Sequence, residues 1–186
     1  MEPRLRVVTW EKLVEDTAAL AGRLGRGKFD AIVAIARGGL VVARLLSDLL
    51  GVKRVASLQI EYYRGVNERE KAPRVIGGLG ISVRGLNVLV VDDVADTGET
   101  LKLAVNYLRE LGAGHVASCT LYVKPWCKFK PDYYAETVEE WIVFPYEHAE
   151  TASYLLERGW SYEQIASEGL ASAVLSLVLK WRNGKY

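Results

Sequence analysis

Short, wholly apolar runs that alternate with amphipathic helical segments are the feature that most limits what this chain can fold into. Ala31–Ile35 and Val88–Val91 contain no polar side chain, as is typical of strands buried on both faces of a parallel sheet. The same reasoning predicts strands at Val55–Tyr63, Asn87–Val91 and His115–Val123, and helices at about 10–25, from the Arg37–Gly39 turn to near Gly51, and at Gly98–Leu111. Strands that alternate with helices predict an α/β fold with a mostly parallel, twisted sheet flanked by helices.

A change of pattern near residue 149 divides the chain. Its 186 residues suit one packed domain with a small addition. After Ala149 the predicted strands stop and three short helical stretches follow, the middle one opened by Ser161 with Gln164 three positions later, as in a capping box. We therefore predict one domain over residues 1–148 and a C-terminal helical appendage over residues 149–186.

A polar, charged connection interrupts the alternation of strands and helices. The stretch from Arg64 to Gly80 contains Pro73 and several glycines, and it is far longer than an ordinary connection between neighbouring elements. Long connections of this kind lie on the surface and often carry function. We therefore predict a flexible lid loop over about residues 64–80.

The charge balance and the cysteines limit the partners and the compartment. Lys and Arg number 24 against 23 Asp and Glu, so no net field attracts a nucleic acid and no such partner is expected. Cys119 and Cys127 are too few for a disulfide scaffold and lie in no metal-ligand spacing, which favours structural thiols in a reducing cytoplasm. The longest uncharged apolar run, Leu170–Leu179, is too short to span a bilayer, so neither membrane association nor export is expected.

The segment Val88–Leu101 carries most of the functional argument. Asp92 and Asp93 follow a predicted strand at its carboxyl end, where ligands bind in parallel sheets. Adjacent carboxylates can accept hydrogen bonds from a pair of sugar hydroxyls, and the amides and hydroxyls of the Thr97–Thr100 turn, at a helix N-terminus, suit a phosphate dianion. The segment therefore predicts a ribose clamp beside a phosphate cradle, whereas a lone Asp-Asp pair would more simply cap a turn.

This order of four apolar residues, two acids and a Thr-Gly-Thr turn closely resembles the phosphoribosyl-pyrophosphate motif of the type I phosphoribosyltransferases. The resemblance implies that Asp92 and Asp93 bind the ribose 2' and 3' hydroxyls and meet Mg²⁺ only indirectly, through the donor or water. It also implies that the turn binds the 5'-phosphate and that Asp96 is a catalytic residue near the base. The donor-binding residues implied in this segment are Asp92, Asp93, Ala95, Asp96, Thr97, Gly98, Glu99 and Thr100.

Two further segments resemble parts of the same family. Arg37, Gly38 and Gly39 follow the first predicted strand, where the family has a loop that grips pyrophosphate with backbone amides and can contain a non-proline cis peptide. The charged stretch Asn67–Lys71 resembles the family's flexible catalytic loop, which implies that Arg69 closes over the pyrophosphate and helps to exclude water. The alternatives are a tight strand-to-helix turn in the first case and a solvated charged loop in the second.

Lys124 and the Trp141-Ile142 pair resemble the base pocket of the xanthine-guanine and hypoxanthine-guanine phosphoribosyltransferases, and the likeness covers residues 5–147. It implies that Trp141 stacks on the purine, that the backbone near Ile142 meets its pyrimidine edge, and that Lys124 donates to its exocyclic oxygen. An ammonium has donors and no acceptor, so it favours a carbonyl over an amino group. The alternatives are a solvated lysine at a strand end and a tryptophan in the core.

The resemblance implies a magnesium-dependent purine phosphoribosyltransferase, a pentosyl-transferring enzyme with a small hood over its sheet. It would transfer ribose 5-phosphate from 5-phosphoribosyl 1-pyrophosphate to hypoxanthine, guanine or xanthine, in purine salvage, and would assemble as a homodimer or a higher homo-oligomer. Two alternatives stay open: an adenine phosphoribosyltransferase on the same scaffold, and a non-catalytic regulator that senses the ribosyl donor. The segment 149–186 lies outside the resemblance. Its apolar helix favours packing or a subunit interface over a helix-turn-helix that reads bases.

Overall fold

The structure is a computed structural model that describes residues 4–64, 71–182 and 184. Contacts divide the chain into two compact units, a larger one of Val14–Glu139 and a smaller one of Met1–Leu13 with Glu140–Tyr186. In chain order the elements are β1 (Leu5–Val7), α1 (Trp10–Leu24), β2 (Ala31–Ala36), α2 (Gly39–Leu50), β3 (Val55–Arg64), β4 (Lys71–Val75), β5 (Asn87–Val91), β6 (Val94–Ala95), α3 (Glu99–Glu110), β7 (His115–Val123), β8 (Tyr133–Thr137), β9 (Trp141–Val143), α4 (His148–Glu157), α5 (Tyr162–Ser167) and α6 (Ser172–Arg182).

The larger unit is built on a mostly parallel sheet, as predicted. Its strands run in the order β4-β3-β2-β5-β7-β6, with β8 also paired to β7, and each pair is parallel except β3 with β4. The register pairs Ala34 with Val91 and Val91 with Cys119, so β2, β5 and β7 continue toward one edge of the sheet side by side. Val94 then pairs with Tyr122, which places β6 in line with β5 after a two-residue interruption at the site segment.

Helices α2 and α3 pack on the sheet through apolar faces. Each face forms because apolar residues recur at helical spacing. Helix α2 ends at Gly51, whose φ of 72° is the left-handed conformation that glycine adopts without strain. Helix α3 buries one face against the core formed by β5 and β7, and burial of each leucine there contributes about 1.5–3 kcal/mol. The buried residues of α3 are Leu101, Ala104, Val105 and Leu108.

The smaller unit combines two short strands with three helices. Strands β1 and β9 pair in parallel, with Leu5 opposite Trp141. Helices α4, α5 and α6 share a buried apolar cluster, and Leu5 and Val7 of β1 pack against it. The capping box predicted at Ser161 and Gln164 is present. Helix α6 begins two residues later and ends three residues later than the predicted Leu170–Leu179. The prediction took both ends from the apolar run alone.

The predicted lid loop is wrong in one part. Lys71–Val75 forms the antiparallel strand β4, whose Val75 pairs with Ile60 of β3, so the segment 64–80 is not one continuous loop. Strand β4 lies at the sheet edge, which is where a sheet tolerates Pro73. Arg69 lies outside the described residues, and the lid function stays a prediction. Within the described ranges, none of the helices combines the length and the apolar content needed to cross a bilayer.

Candidate active site

The two adjacent carboxylates lie directly beyond the end of β5. The backbone N–H of Asp92 donates to the Cys119 carbonyl of β7 over 3.0 Å, and the Asp93 carbonyl accepts from two amides of β7. The side chain of Asp92 accepts from the Asp93 N–H over 3.0 Å, and that of Asp93 accepts from the Val94 N–H over 2.8 Å. Asp93 is buried and Asp92 is partly exposed. The sheet therefore holds both carboxylates in fixed positions at its carboxyl edge.

A pocket of about 450 Å³ opens beside these carboxylates, a size that suits a small ligand. Gly98 has a φ of 84° and lies so close to the Phe129 backbone that any side chain there would overlap it. Thr97 is held as well, because its carbonyl accepts from the Lys128 N–H over 3.0 Å. Helix α3 begins at Glu99, so its first-turn amides, which have no partner within the helix, suit an anion in this pocket. The lining residues are Asp92, Val94, Ala95, Asp96, Thr97, Gly98, Glu99, Thr100 and Leu101.

The loop after β2 packs against the loop after β5. Gly38 lies against the Asp93 carboxylate, and a Cβ at Gly39 would come within 3.0 Å of the Asp92 Cα. Only glycine fits these two positions. Arg37 is exposed, and the peptide between Ala36 and Arg37 is cis, as the family resemblance implied. The structure therefore brings the predicted pyrophosphate loop and the predicted ribose clamp into direct contact.

Asp96 is exposed at the pocket and is held by a residue that the sequence analysis did not select. Its Oδ1 accepts a hydrogen bond from the Nε1–H of Trp126 over 2.7 Å. Lys124 Nζ lies 5.6 Å from the centroid of the Trp126 ring and donates to the Glu139 carbonyl over 3.4 Å. Lys124 is only 8% exposed, so it is not a solvated lysine at a strand end. The one sequence feature that could have indicated a role for Trp126 is its position two residues after Lys124.

Trp141 and Ile142 belong to the smaller unit, whereas Lys124 belongs to the larger one. The Trp141 side chain is 37% exposed, which does not fit a core tryptophan. Its ring centroid lies 4.6 Å from that of Tyr154 on α4, with the two ring planes inclined by 55°. Ile142 is buried, and its strand pairs with β1. A partly exposed indole beside another aromatic ring is suited to stacking.

The two cysteines are free and buried. Burial is the main cause that raises the pKa of the Cys119 thiol, and the nearby Asp92 and Asp132 carboxylates add to it. Burial also raises the pKa of the Cys127 thiol, which donates to the Phe129 carbonyl over 3.2 Å. Thiols with a raised pKa stay protonated and unreactive at neutral pH, so the prediction of structural thiols fits this arrangement.

The described residues contain no group of three or more His, Cys, Asp or Glu side chains arranged to hold a metal ion. Asp92 and Asp93 supply two adjacent carboxylates. Magnesium typically binds through one or two carboxylates together with substrate phosphates and water. The residues present therefore fit a magnesium ion carried mainly by a phosphorylated donor.

The mostly parallel sheet, the two carboxylates beyond β5 and the glycine loop packed against them agree with the resemblance to the type I phosphoribosyltransferases. The phosphoribosyl transferase domain family matches residues 7–151, and the chain therefore belongs to that family of transferases. The chain is 35% identical over 146 residues to the xanthine-guanine phosphoribosyltransferase of Gluconobacter oxydans, covering 76% of this chain and 84% of that relative. It is 36% identical over 143 residues to the enzyme of the same name from Nitratidesulfovibrio vulgaris, covering 75% and 83%.

A solved structure agrees with these relatives. The crystal structure of the purine phosphoribosyltransferase from Pyrococcus horikoshii superposes with a TM-score of 0.72 at 36% identity, covering 76% of this chain and 93% of that one. The fold class predicted from the alternating strands and helices is thus confirmed.

Proposed function

We propose that this protein is a purine salvage enzyme that transfers ribose 5-phosphate from 5-phosphoribosyl 1-pyrophosphate to a 6-oxopurine. The products are the nucleoside 5'-monophosphate and pyrophosphate. The observation that carries this proposal is the pocket lined by Asp92 and the Thr97–Thr100 turn, together with the glycine loop at Gly38 and Gly39 that packs against Asp92 and Asp93. The names of the relatives, xanthine-guanine and purine phosphoribosyltransferases, support a purine as the acceptor.

Each part of the pocket suits one part of the donor. Asp92 and Asp93 accept hydrogen bonds from the two ribose hydroxyls, because each hydroxyl has an O–H group that can donate. The first amides of α3 and the Thr97–Thr100 turn receive the 5'-phosphate at a helix N-terminus, with Ala95 and Glu99 lining the same pocket. The glycine loop brings backbone amides and the exposed Arg37 to the pyrophosphate. Arg69 is proposed to reach the same pyrophosphate from the loop outside the described residues.

Asp96, Lys124 and Trp141 are the side chains proposed to act on the base. Lys124 is buried, and a buried ammonium requires acceptors, so a purine carbonyl suits it better than the amino group of adenine. Trp141 is partly exposed and is proposed to stack on the base, and the backbone at Ile142 is proposed to bind the pyrimidine edge. Asp96 takes or shares a proton of the base, or stabilises positive charge that develops on the sugar.

Magnesium is proposed to accompany the donor and, when bound, to neutralise the charge of the departing pyrophosphate. Asp92 and Asp93 would meet it through the donor or through water. A homodimer or a higher homo-oligomer and a cytoplasmic location complete the proposal. The location is supported by the unpaired thiols of Cys119 and Cys127, which suit a reducing compartment.

The test is product formation from the donor and magnesium with hypoxanthine, guanine, xanthine, adenine, uracil and orotate in separate reactions. Asp96→Asn and Lys124→Ala are measured alongside Lys180→Ala, an exposed lysine on α6 that serves as the matched control. We expect turnover of oxopurines that falls in the first two variants only. Turnover of adenine alone would overturn the role of Lys124. Tight donor binding without turnover of any base would instead identify a regulator.

A further inference from the structure

Trp126 stands between two side chains that the proposed function assigns to the base. Its indole N–H donates to Asp96 Oδ1 over 2.7 Å, and its ring centroid lies 5.6 Å from Lys124 Nζ. We infer that Trp126 is a positioning residue, which holds the Asp96 carboxylate and the Lys124 ammonium in the arrangement that base transfer requires. This inference rests on the proposed roles of Asp96 and Lys124.

The Asp96 side chain needs such support because it is exposed. An exposed carboxylate on a turn samples several rotamers, and catalysis by an acid, a base or a charge depends on a fixed position near the reacting atoms. A hydrogen bond from a neutral donor to a carboxylate is charge-assisted and short, as the 2.7 Å distance shows. The indole is a donor only, so it cannot accept a proton in competition with the base. It occupies one carboxylate oxygen and leaves the other for a ligand.

Packing does not explain Trp126. Trp126 is 53% exposed, so about half of its surface is not buried by packing. The turn that carries it is fixed independently, because the Lys124 N–H donates to the Ala95 carbonyl and the Cys127 N–H donates to the Lys124 carbonyl, both over 3.0 Å. These hydrogen bonds hold the turn through its backbone, so Trp126→Phe is expected to leave the turn in place.

The contact with Lys124 extends the same role to base recognition. A cation within about 6 Å of an indole ring is attracted to its face, most strongly where water is excluded, and Lys124 is buried. The ring therefore limits where the ammonium can move. The Trp126 ring thus contacts both Lys124, proposed to bind the exocyclic oxygen, and Asp96, proposed to act at the reacting end of the base.

A double-mutant cycle tests this role. Trp126→Phe keeps an aromatic face for Lys124 and removes the N–H, and Asp96→Ala removes the acceptor. We expect Trp126→Phe to lower kcat by about tenfold, the effect of losing a hydrogen bond to a charged group, with the KM of the ribosyl donor unchanged. In the Asp96→Ala background the same substitution is expected to change kcat by less than twofold, since nothing remains to be positioned. Trp126→His, which restores a ring N–H, is expected to recover part of the loss.

Trp181→Phe is the matched control, because Trp181 is also 53% exposed and lies on α6. It is expected to leave kcat unchanged. An unchanged kcat in Trp126→Phe would overturn the inference while leaving the proposed function intact. Equal losses with and without Asp96 would overturn it too, since they would show a structural effect. A wild-type protein that turns over no base would refute the proposed function and this role together.

Discussion

The α-carbon of Gly38 lies against the carboxylate of Asp93, so that any side chain at position 38 would overlap the Asp93 oxygens. The contact joins two loops that are 55 residues apart in sequence, because β2 and β5 are neighbours in the sheet and their carboxyl ends adjoin. The loop proposed to hold pyrophosphate is therefore packed directly on the carboxylates proposed to hold ribose. Under the proposed function, this contact couples the binding of the two ends of one donor.

Gly38→Ala is expected to weaken donor binding, because the new methyl group displaces either the loop or the Asp93 carboxylate. Overpacking of this kind also costs about 1–3 kcal/mol of stability. Isothermal titration with the ribosyl donor should show at least a tenfold increase in Kd, about 1.4 kcal/mol. The matched control is Gly22→Ala, since a Cβ at Gly22 would have no neighbour within 4 Å. Equal donor affinity in both variants would contradict the proposed packing role.

Tyr154→Leu is expected to weaken base binding and leave donor binding unchanged. The Tyr154 and Trp141 ring centroids lie 4.6 Å apart. The guanidinium carbon of Arg158 lies 4.4 Å from the centroid of the same Tyr154 ring. Loss of an aromatic pair costs about 0.5–1.5 kcal/mol, so the KM of the oxopurine should rise about two- to tenfold. Steady-state kinetics with each substrate varied in turn measures this effect. Tyr162→Leu, in the same helical cluster, should leave that KM within twofold of wild type.

His148 makes the stability of the smaller unit depend on pH. Its Nδ1 accepts a hydrogen bond from the Ala171 N–H over 3.0 Å, and its Nε2 is buried without a hydrogen-bond partner among the described residues. Burial lowers the pKa of His148 from its ordinary value of 6.5, so the fold favours the neutral ring. The neutral His148 therefore stabilises the fold fully at a pH above the pKa of the unfolded chain. This contribution to stability is lost as the pH falls from that value through the lower pKa of the folded state.

Thermal melts between pH 7.5 and pH 5 measure this dependence. The wild-type Tm is expected to fall over the acidic part of that range by more than the Tm of His148→Asn. Asparagine keeps an acceptor for Ala171 and does not titrate. Parallel pH profiles of the two proteins would show that another group is responsible.

The alternation of the central strands with helices and the pocket segment could be predicted from sequence because both depend on local patterns. Apolar runs indicate buried strands, and Asp92, Asp93 and the following turn lie within a few residues of each other. Trp126 could not be found in this way. Its contact with Asp96 spans 30 residues and depends on the register in which Val94 pairs with Tyr122. That register is set by tertiary packing and not by local pattern.

The strands β1, β4 and β9 are among those that the sequence analysis missed. Strands β1 and β9 have three residues each, too few to show an alternating pattern. They form by pairing with each other, although most of the chain separates them in sequence. Strand β4 contains Pro73 between charged residues, which reads as a loop. Its strand conformation is supported by pairing with β3 at the edge of the sheet.

The C-terminal helices are expected to be an integral part of the folded smaller unit. Leu155 of α4 is fully buried in the cluster that also includes Leu175 of α6 and is packed against β1. Leu155→Ala should therefore lower the free energy of unfolding by about 2–5 kcal/mol, the range for removing a buried leucine side chain. Leu177→Ala makes the same chemical change on α6, where the side chain is 43% exposed, and surface changes usually stay within about 0.5 kcal/mol. Urea unfolding of both variants provides the comparison. Equal, small effects would show that the helices are attached to the unit without stabilising it.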